Sequence, residues 1–170
     1  MKVATISFSD SRDEAADVGG RTLREELERA GFSLADHRLV REDLDGVRAA
    51  LLAACDEADA VVTTGGTGLG PRDVTIAALD SLLTKRLDGF GEAFRRLSFD
   101  EIGARAILSN ASAGLVGTVP VFALPGSPKA LPLAVRNLLQ PVLAHAVKVA
   151  RGGGHHDGPA KGAAGGGGSC

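Results

Sequence analysis

The chain has 170 residues, of which 44% are hydrophobic and 24% are charged, so its size suits one globular domain and its composition excludes disorder throughout. Its 19 basic and 21 acidic side chains give a formal net charge of -2, which excludes a protein that depends on the nucleic-acid backbone for affinity. No run approaches the ~20 apolar residues of a membrane-spanning helix, and the first residues resemble a strand rather than a secretory leader. We therefore expect a cytoplasmic protein without nucleic-acid or membrane partners.

The C-terminal segment differs in composition from the rest of the chain. Nine of the 23 glycines fall within residues 152–170, beside alanines and the pair His155 and His156. Because almost no apolar side chains offset the entropy of ordering this segment, we expect a flexible tail at 152–170 and a folded domain at 1–151. The histidine pair is interpreted as solvated linker rather than as a metal site.

The first half of the chain alternates β-branched runs with amphipathic segments. The β-branched runs predict strands at residues 2–8, 32–40 and 60–64. Apolar side chains at helical spacing predict helices at about 20–30, 47–55 and 75–83, the second of them capped by Asp43 or Asp45. Strands that alternate with helices of this length form right-handed crossovers, so we expect a doubly wound α/β domain with helices on both faces of a mainly parallel sheet.

The second half of the chain adds further elements to this sheet. A short segment at 85–87 precedes a predicted helix at 91–102 and an apolar stretch at 106–109. Residues 112–124 read as a hairpin with Gly117 and Thr118 at its turn, which would make part of the sheet antiparallel. The last helix is predicted at 128–150, with a kink where Pro141 removes a backbone donor.

Ligands of open parallel sheets bind beyond the carboxyl ends of the strands, which directs attention to the loops at 9–10, 41–43, 65–73 and 125–129. The third loop is rich in glycine, and glycine lets backbone amides approach an anion such as phosphate. The loop has neither the Gly-Lys-Ser/Thr ending of a P-loop nor the spacing of a dinucleotide fingerprint. A Walker ATPase and a Rossmann dehydrogenase are therefore disfavoured.

Acidic side chains follow two of these strands. Asp73 lies just beyond the glycine loop, between Arg72 and Thr75, and the pair Glu42 and Asp43 follows the second strand. Magnesium bound to a nucleotide takes one or two carboxylates, with phosphate and water completing its octahedron. Each acid also has a structural explanation, because carboxylates favour helix N-termini.

The segment around the glycine loop resembles the signature of a known family. Thr64-Gly-Gly-Thr-Gly68 followed by Arg72-Asp73-Val-Thr75 is similar to the signature of the molybdenum cofactor biosynthesis family, which includes MoaB, MogA and the gephyrin G domain. Segments at 9–10, 17–19, 89–103 and 123–129 agree with it, so the resemblance covers residues 2–150. The stretches 90–103 and 108–114 resemble the MoaB branch in particular.

This resemblance implies a three-layer αβα sandwich that assembles as a homotrimer or a homohexamer. It implies a Mg²⁺-dependent adenylyltransferase that converts ATP and molybdopterin into adenylyl-molybdopterin and pyrophosphate. A molybdenum-insertion protein would act downstream of such an enzyme. The sequence shows no Ser-His-Asp or Cys-His arrangement, which agrees with a direct in-line transfer that needs no covalent protein nucleophile. His37 and His145 are interpreted as structural or surface residues.

The resemblance also implies roles for individual residues. Carried over by position, Asp73 is the acid that holds magnesium or orients the reacting phosphate. The family's second acid lies in a Pro-Asp-Asp/Glu stretch, which a gap-free match places at Arg41, Glu42 and Asp43. Glu42 is favoured as the second catalytic and metal-binding acid, and Asp43 is kept as its alternative. The substrate-binding positions are Ser9, Asp10, Thr64, Gly65, Gly66, Thr67, Gly68, Arg72, Ser109, Pro125, Gly126, Ser127 and Lys129.

Two further interpretations fit parts of the same pattern. A catalytically weak molybdopterin-binding or assembly protein would fit Arg41 and Asn110, which replace the family's proline and arginine. A generic nucleotide-binding regulator would explain the glycine loop and none of the other matches. The retained Arg72 and Asp73 favour an enzyme. The sequence leaves open whether the metal of the cofactor is molybdenum or tungsten.

Overall fold

The computed structural model describes residues 1–10 and 14–154, which form a six-stranded sheet with helices on both faces. The predicted tail lies outside the described residues from His155 onwards, and so does the histidine pair. The strands are β1 (Lys2–Phe8), β2 (Ser33–Val40), β3 (Ala60–Thr64), β4 (Lys85–Arg86), β5 (Ser112–Val116) and β6 (Val119–Leu124). The α-helices are α1 (Val18–Arg29), α2 (Leu44–Glu57), α3 (Thr75–Asp80), α4 (Asp88–Ile102), α5 (Ala130–Ala134) and α6 (Gln140–Ala150). Short 3₁₀ helices lie at Glu14–Ala16 and Gly103–Leu108, and a π-helical turn lies at Val135–Leu139.

The strands follow the order β2-β1-β3-β6-β5-β4 across the sheet. β1 pairs in parallel with β2 and β3, and β3 pairs in parallel with β6. β5 runs antiparallel to both β6 and β4, and Gly117, with φ of +60°, lies in the turn between β5 and β6. The prediction of an αβα sandwich with a parallel sheet and an antiparallel hairpin is confirmed.

Two separate clusters of buried side chains form the core, one on each face of the sheet. Successive residues of a strand point to opposite faces, so Val61 belongs to one cluster and Val62 to the other. Leu23 of α1 and Leu131 of α5 pack on the first face, together with side chains of α4 and α6. Leu51 of α2 packs with side chains of α3 on the second face. All five residues of β3 are buried, as expected for a central strand covered by helices on both sides.

Three predicted segments differ from the structure. α3 ends at Asp80 rather than near residue 83, and the apolar stretch at 106–109 belongs to the 3₁₀ helix Gly103–Leu108. The predicted last helix is divided into α5, the π-helical turn and α6. Pro141 stands at the start of α6, where its ring crowds the preceding turn and its missing N–H removes a hydrogen bond. The preceding turn is therefore widened into a π-helical turn rather than kinked at the proline itself.

The parallel strands bring four loops to one edge of the sheet. Phe8 pairs with Val40, Ser7 with Thr64, and Thr64 with Leu124, so the strands β2, β1, β3 and β6 end side by side. The loops that follow these strands consequently meet above this edge. Within the described residues, the helices are too short or too polar to cross a lipid bilayer.

Candidate functional site

A hollow of about 1140 Å³ opens above the carboxyl ends of the four parallel strands. It continues between α4 and the segment formed by α5 and the π-helical turn. Most of the predicted site residues line it, including both Asp73 and Glu42. The predicted substrate-binding residues among its lining are Ser9, Thr64, Gly65, Gly66, Thr67, Gly68, Ser109, Pro125, Gly126, Ser127 and Lys129. Asp10, Arg72 and Asp43 are not among the lining residues that the described part of the chain supplies.

Gly65 and Gly66 carry the chain sharply away from the end of β3. Both have positive φ angles, +96° and +64°, which side chains of L-residues rarely adopt. A Cβ atom on Gly65 would lie 2.1 Å from the carbonyl oxygen of Phe8, and one on Gly66 would lie 2.2 Å from the Thr75 hydroxyl. Glycine is therefore required at both positions, because the loop packs directly on β1 and α3.

Hydrogen bonds hold this glycine loop between its neighbours. The Gly65 N–H donates to the Leu124 carbonyl over 3.1 Å, and the Thr75 N–H donates to the Gly66 carbonyl over 3.1 Å. The Thr64 hydroxyl donates to the Pro125 carbonyl over 2.9 Å, which ties the loop to the segment that follows the neighbouring strand β6. Hydrogen bonds therefore tie the loop to β6, to α3 and to the Pro125 segment, and its glycines leave no room for side chains at Gly65 and Gly66.

Asp73 and Glu42 bring two carboxylates to the hollow from different loops. Asp73 Oδ2 accepts a 2.8 Å hydrogen bond from the Gly70 N–H, which holds the carboxylate against the glycine loop. Burial raises the pKa of Glu42, the negative charges of Asp73 and Asp10 raise it further, and Arg72 opposes them. Negative charge is thus concentrated between the two loops, which favours a cation there.

Asp43 has a different position from its neighbour Glu42. It is the N-cap of α2, and its Oδ1 accepts a 2.8 Å hydrogen bond from the Gly46 N–H. The side chain is exposed, whereas the adjacent Glu42 is half-buried and lines the hollow. The structure therefore brings Glu42 and Asp73 together and places Asp43 at the start of the helix.

Two polar contacts connect the glycine loop segment to other parts of the rim. Arg72 forms an ion pair with Asp10, which links the segment after β3 to the loop after β1. The Asn110 amide donates to the Gly68 carbonyl over 3.2 Å. Asn110 therefore uses its side chain to hold the loop, in contrast to the free positive charge that an arginine would place there.

The donor set of Glu42 and Asp73 fits a magnesium ion that is shared with a phosphate ligand. Carboxylate oxygens are the ligands that this hard cation prefers, and the raised pKa of Glu42 marks an excess of negative charge that a cation would neutralise. Across residues 1–10 and 14–154, no three His, Cys, Asp or Glu side chains form a group able to hold a metal. Phosphate oxygens and water would consequently have to complete the coordination.

A polar network beneath the hollow was not predicted from the sequence. His37 Nε2 lies 3.1 Å from Asp17 Oδ2, and His37 Nδ1 lies 2.9 Å from the Thr5 hydroxyl. Asp17 is the N-cap of α1 and accepts a 2.8 Å hydrogen bond from the Gly20 N–H. Burial alone would raise the pKa of Asp17, but the hydrogen bonds from Gly20 and His37 outweigh it and lower the pKa. His37 is thus a structural residue, as expected, with a defined role in fixing the start of α1.

Gly20 is the residue that makes this network possible. A Cβ atom on it would lie 2.1 Å from Asp17 Oδ2, 2.4 Å from the Ser7 hydroxyl and 2.7 Å from the His37 ring. The three polar side chains therefore converge where the helix lacks a side chain. In the sequence, this arrangement is indicated only by the segment with Asp17 and Gly19 before the helix, which agrees with the family pattern. That pattern does not indicate the roles of Gly20 and His37.

Comparison with known proteins agrees with this architecture. The family described as "Probable molybdopterin binding domain" matches residues 3–145. Molybdenum cofactor biosynthesis protein B of Bacillus subtilis is 42% identical over 154 residues, covering 89% of this chain and 91% of that protein. The protein of the same name from Staphylococcus epidermidis is 41% identical over 153 residues, with 86% and 87% covered.

Solved structures give the same assignment. A crystal structure of a Molybdenum cofactor biosynthesis protein B matches with a TM-score of 0.83 and 39% identity, covering 88% of this chain and 95% of that one. The tungsten cofactor synthesizing protein MoaB from Pyrococcus furiosus matches with a TM-score of 0.80 and 37% identity, covering 88% and 96%. Since the family match spans most of the chain and these relatives cover nearly their whole length, the chain belongs to the molybdopterin-binding domain family of molybdenum cofactor biosynthesis proteins.

Proposed function

We propose that this protein is a Mg²⁺-dependent molybdopterin adenylyltransferase, which transfers AMP from ATP to molybdopterin and releases pyrophosphate. The observation that carries the proposal is the convergence of Glu42 and Asp73 on one hollow that the glycine loop also lines. Carboxylates that hold a cation and the backbone amides of a glycine loop are groups that a metal-bound triphosphate needs.

The reaction is an in-line displacement at the α-phosphorus of ATP. An oxygen of the terminal phosphate of molybdopterin forms the new P–O bond, and the bond to the β-phosphate oxygen breaks as pyrophosphate leaves. Glu42 and Asp73 would hold Mg²⁺, which when bound neutralises charge on the phosphates. The glycine loop binds and orients the phosphate groups, and Ser109 and Lys129 contribute further polar groups to the lining of the hollow.

A second candidate is a molybdopterin-binding or assembly protein with little catalytic activity. The specific observation in its favour is Asn110, which occupies the position of a family arginine and donates its amide to the Gly68 carbonyl. The site therefore has one positive charge fewer for binding phosphate than the family pattern supplies.

Incubation with Mg-ATP and molybdopterin separates the two candidates. We expect the release of pyrophosphate together with adenylyl-molybdopterin, both detected by chromatography. Binding of molybdopterin without either product would contradict the enzyme proposal and support the binding protein.

Glu42→Gln is expected to stabilise the ligand-free protein and to weaken its response to Mg-ATP. The pKa of Glu42 is raised in the folded protein, so the ionisation of this side chain lowers the free energy of unfolding. This loss of stability is absent below the ordinary pKa of a glutamate and develops as the pH rises through the pKa of Glu42 in the folded protein. We expect the Tm at pH 7 to rise by ~1–2 °C and this gain to vanish at low pH.

The same measurement distinguishes the two acids of the second loop. The further rise in Tm on adding Mg-ATP should be lost in Glu42→Gln and kept in Asp43→Asn, because Asp43 caps α2 and is exposed. Loss of the response in Asp43→Asn alone would identify Asp43 as the second acid instead.

We also expect the chain to assemble as a homotrimer or homohexamer and to deliver its product to a molybdenum-insertion protein. Phe99 of α4 and Ile107 of the following 3₁₀ helix are exposed apolar side chains outside the hollow. Light scattering should give three or six times the mass of one chain, and Ile107→Asp should lower it to that of a single chain. A single-chain mass for the unmodified protein would contradict this expectation.

A further inference from the structure

Beyond the glycine loop, the hollow continues as a groove between helices. α4 packs against α5 and the π-helical turn, and both sides of this contact contribute to the lining. Ile102 comes from α4, Leu133 from α5 and Arg136 from the π-helical turn. The groove thus combines apolar side chains with charged ones, Glu101 from α4, Arg105 from the following 3₁₀ helix and Arg136 from the π-helical turn. A site for a flat polar ring needs both apolar surface and a few polar groups that fix its orientation.

Arg136 is held in place by an acid on a different helix. Its Nε donates to Glu26 Oε2 over 2.8 Å, and its Nη2 donates to Glu26 Oε1 over 2.9 Å. Arg29 forms a further ion pair with the same carboxylate. The hydrogen bonds from Arg136 are the main reason that the pKa of Glu26 is lowered, so Glu26 is ionised at neutral pH.

This arrangement is more than a means of stabilising the fold. Glu26 is only 3% exposed, and burying a carboxylate costs free energy that its ion pairs often do no more than offset. The Arg136 side chain, by contrast, is 61% exposed and lines the hollow. The buried acid therefore fixes the orientation of a guanidinium that faces the ligand space.

The orientation determines which donors face the groove. A guanidinium has five N–H groups, and Glu26 engages one on Nε and one on Nη2. The adjacent edge, formed by Nη1 and the second N–H of Nη2, carries two parallel N–H groups that the ion pair with Glu26 does not use. Such an edge matches a carbonyl oxygen, whose two lone pairs can accept both donors.

We propose that Arg136, positioned by Glu26, is a specificity-determining residue that donates to the 4-oxo group of the pterin ring. This inference rests on the proposed function, because it assigns the ring of the pterin substrate to the groove. Adenine has an amino group at the corresponding ring position. Both this group and the guanidinium of Arg136 are hydrogen-bond donors, so they would not bind each other. Arg136 consequently selects the pterin ring, rather than the adenine of ATP, for this part of the hollow.

The test compares two probes that differ in one functional group. 6-Hydroxymethylpterin has the 4-oxo group, and 2,4-diamino-6-hydroxymethylpteridine replaces it with an amino group. Fluorescence titration of the full chain at pH 6.5, where both probes are mainly neutral, without Mg-ATP, should show at least ~10-fold tighter binding of the oxo compound. Arg136→Met should bring this ratio to about one, and Arg136→Lys should reduce it, because lysine keeps the charge and loses the paired donors.

Two further variants separate recognition from folding. Arg24→Met removes an exposed arginine of α1 and should keep the ratio of the unmodified protein. Glu26→Gln should lower the ratio through the freed Arg136, while Mg-ATP binding measured by calorimetry stays unchanged in all variants.

The outcomes distinguish this inference from the proposed function. A full ratio in both Arg136→Met and Arg136→Lys would overturn the role of Arg136 and leave the adenylyltransferase proposal standing. If the unmodified chain bound Mg-ATP and neither pteridine, both the inference and the pterin part of the proposed function would fail.

Discussion

Asp73→Asn is expected to lower the rate of AMP transfer by about 10³-fold without unfolding the protein. The asparagine amide oxygen can still accept the hydrogen bond from the Gly70 N–H, so the turn after the glycine loop should persist. The substitution removes the negative charge that, together with Glu42, would hold Mg²⁺ against the phosphates. Single-turnover measurement of pyrophosphate release at saturating Mg-ATP and molybdopterin gives the comparison directly.

The matched control is Asp80→Asn, which neutralises an acid of the adjacent helix α3. Asp80 pairs with Arg86 on the surface and is not part of the hollow as the described residues define it. We expect its rate of AMP transfer to equal that of the unmodified protein. Undiminished transfer in Asp73→Asn, with unfolding and molybdopterin binding unchanged, would remove Asp73 from the mechanism.

Gly65→Ala is expected to reduce the free energy of unfolding by about 2–5 kcal/mol. The added Cβ would meet the Phe8 carbonyl oxygen at 2.1 Å, and this oxygen belongs to the backbone of a buried strand that cannot move freely. The φ angle of +96° adds strain that is independent of the contact. Urea unfolding followed by circular dichroism measures the loss.

Gly31→Ala separates the two causes of this loss. Gly31 has a similar φ angle, +88°, and a Cβ on it would have no heavy atom within 4 Å. Only the backbone strain remains at that position, so we expect a loss of about 1 kcal/mol. Equal losses in the two variants would show that the close packing of the glycine loop on β1 contributes little.

Local sequence patterns predicted most of the elements because the strands are β-branched and the helices are amphipathic at regular spacing. The central strand Ala60–Thr64 and the hairpin through Gly117 are examples, since each is defined by its own residues and neighbouring turns. The π-helical turn at Val135–Leu139 was not predicted. It depends on how the chain accommodates Pro141 while keeping its apolar side chains in the core, which is a tertiary effect.

The candidate site was predictable to the level of its loops but not to the level of each side chain. The choice between Glu42 and Asp43 depends on where α2 begins, and both Asp43 and Asp45 could have capped it. The contact between Glu26 and Arg136 had no signal in the sequence. Glu26 and Arg136 are separated by 110 positions, and neither residue belongs to a recognisable motif.

The acids at the rim have a consequence for the order in which ligands arrive. Asp10, Glu42 and Asp73 lie close enough for the first and last to raise the pKa of Glu42, and among the described residues Arg72 opposes them. A field of this sign attracts small cations by diffusion and slows the approach of a bare polyanion. Under the proposed function, nucleotide with its bound cation would reach the glycine loop with little repulsion. Chelation of free divalent ions would then slow the association of nucleotide before it affects the chemical step.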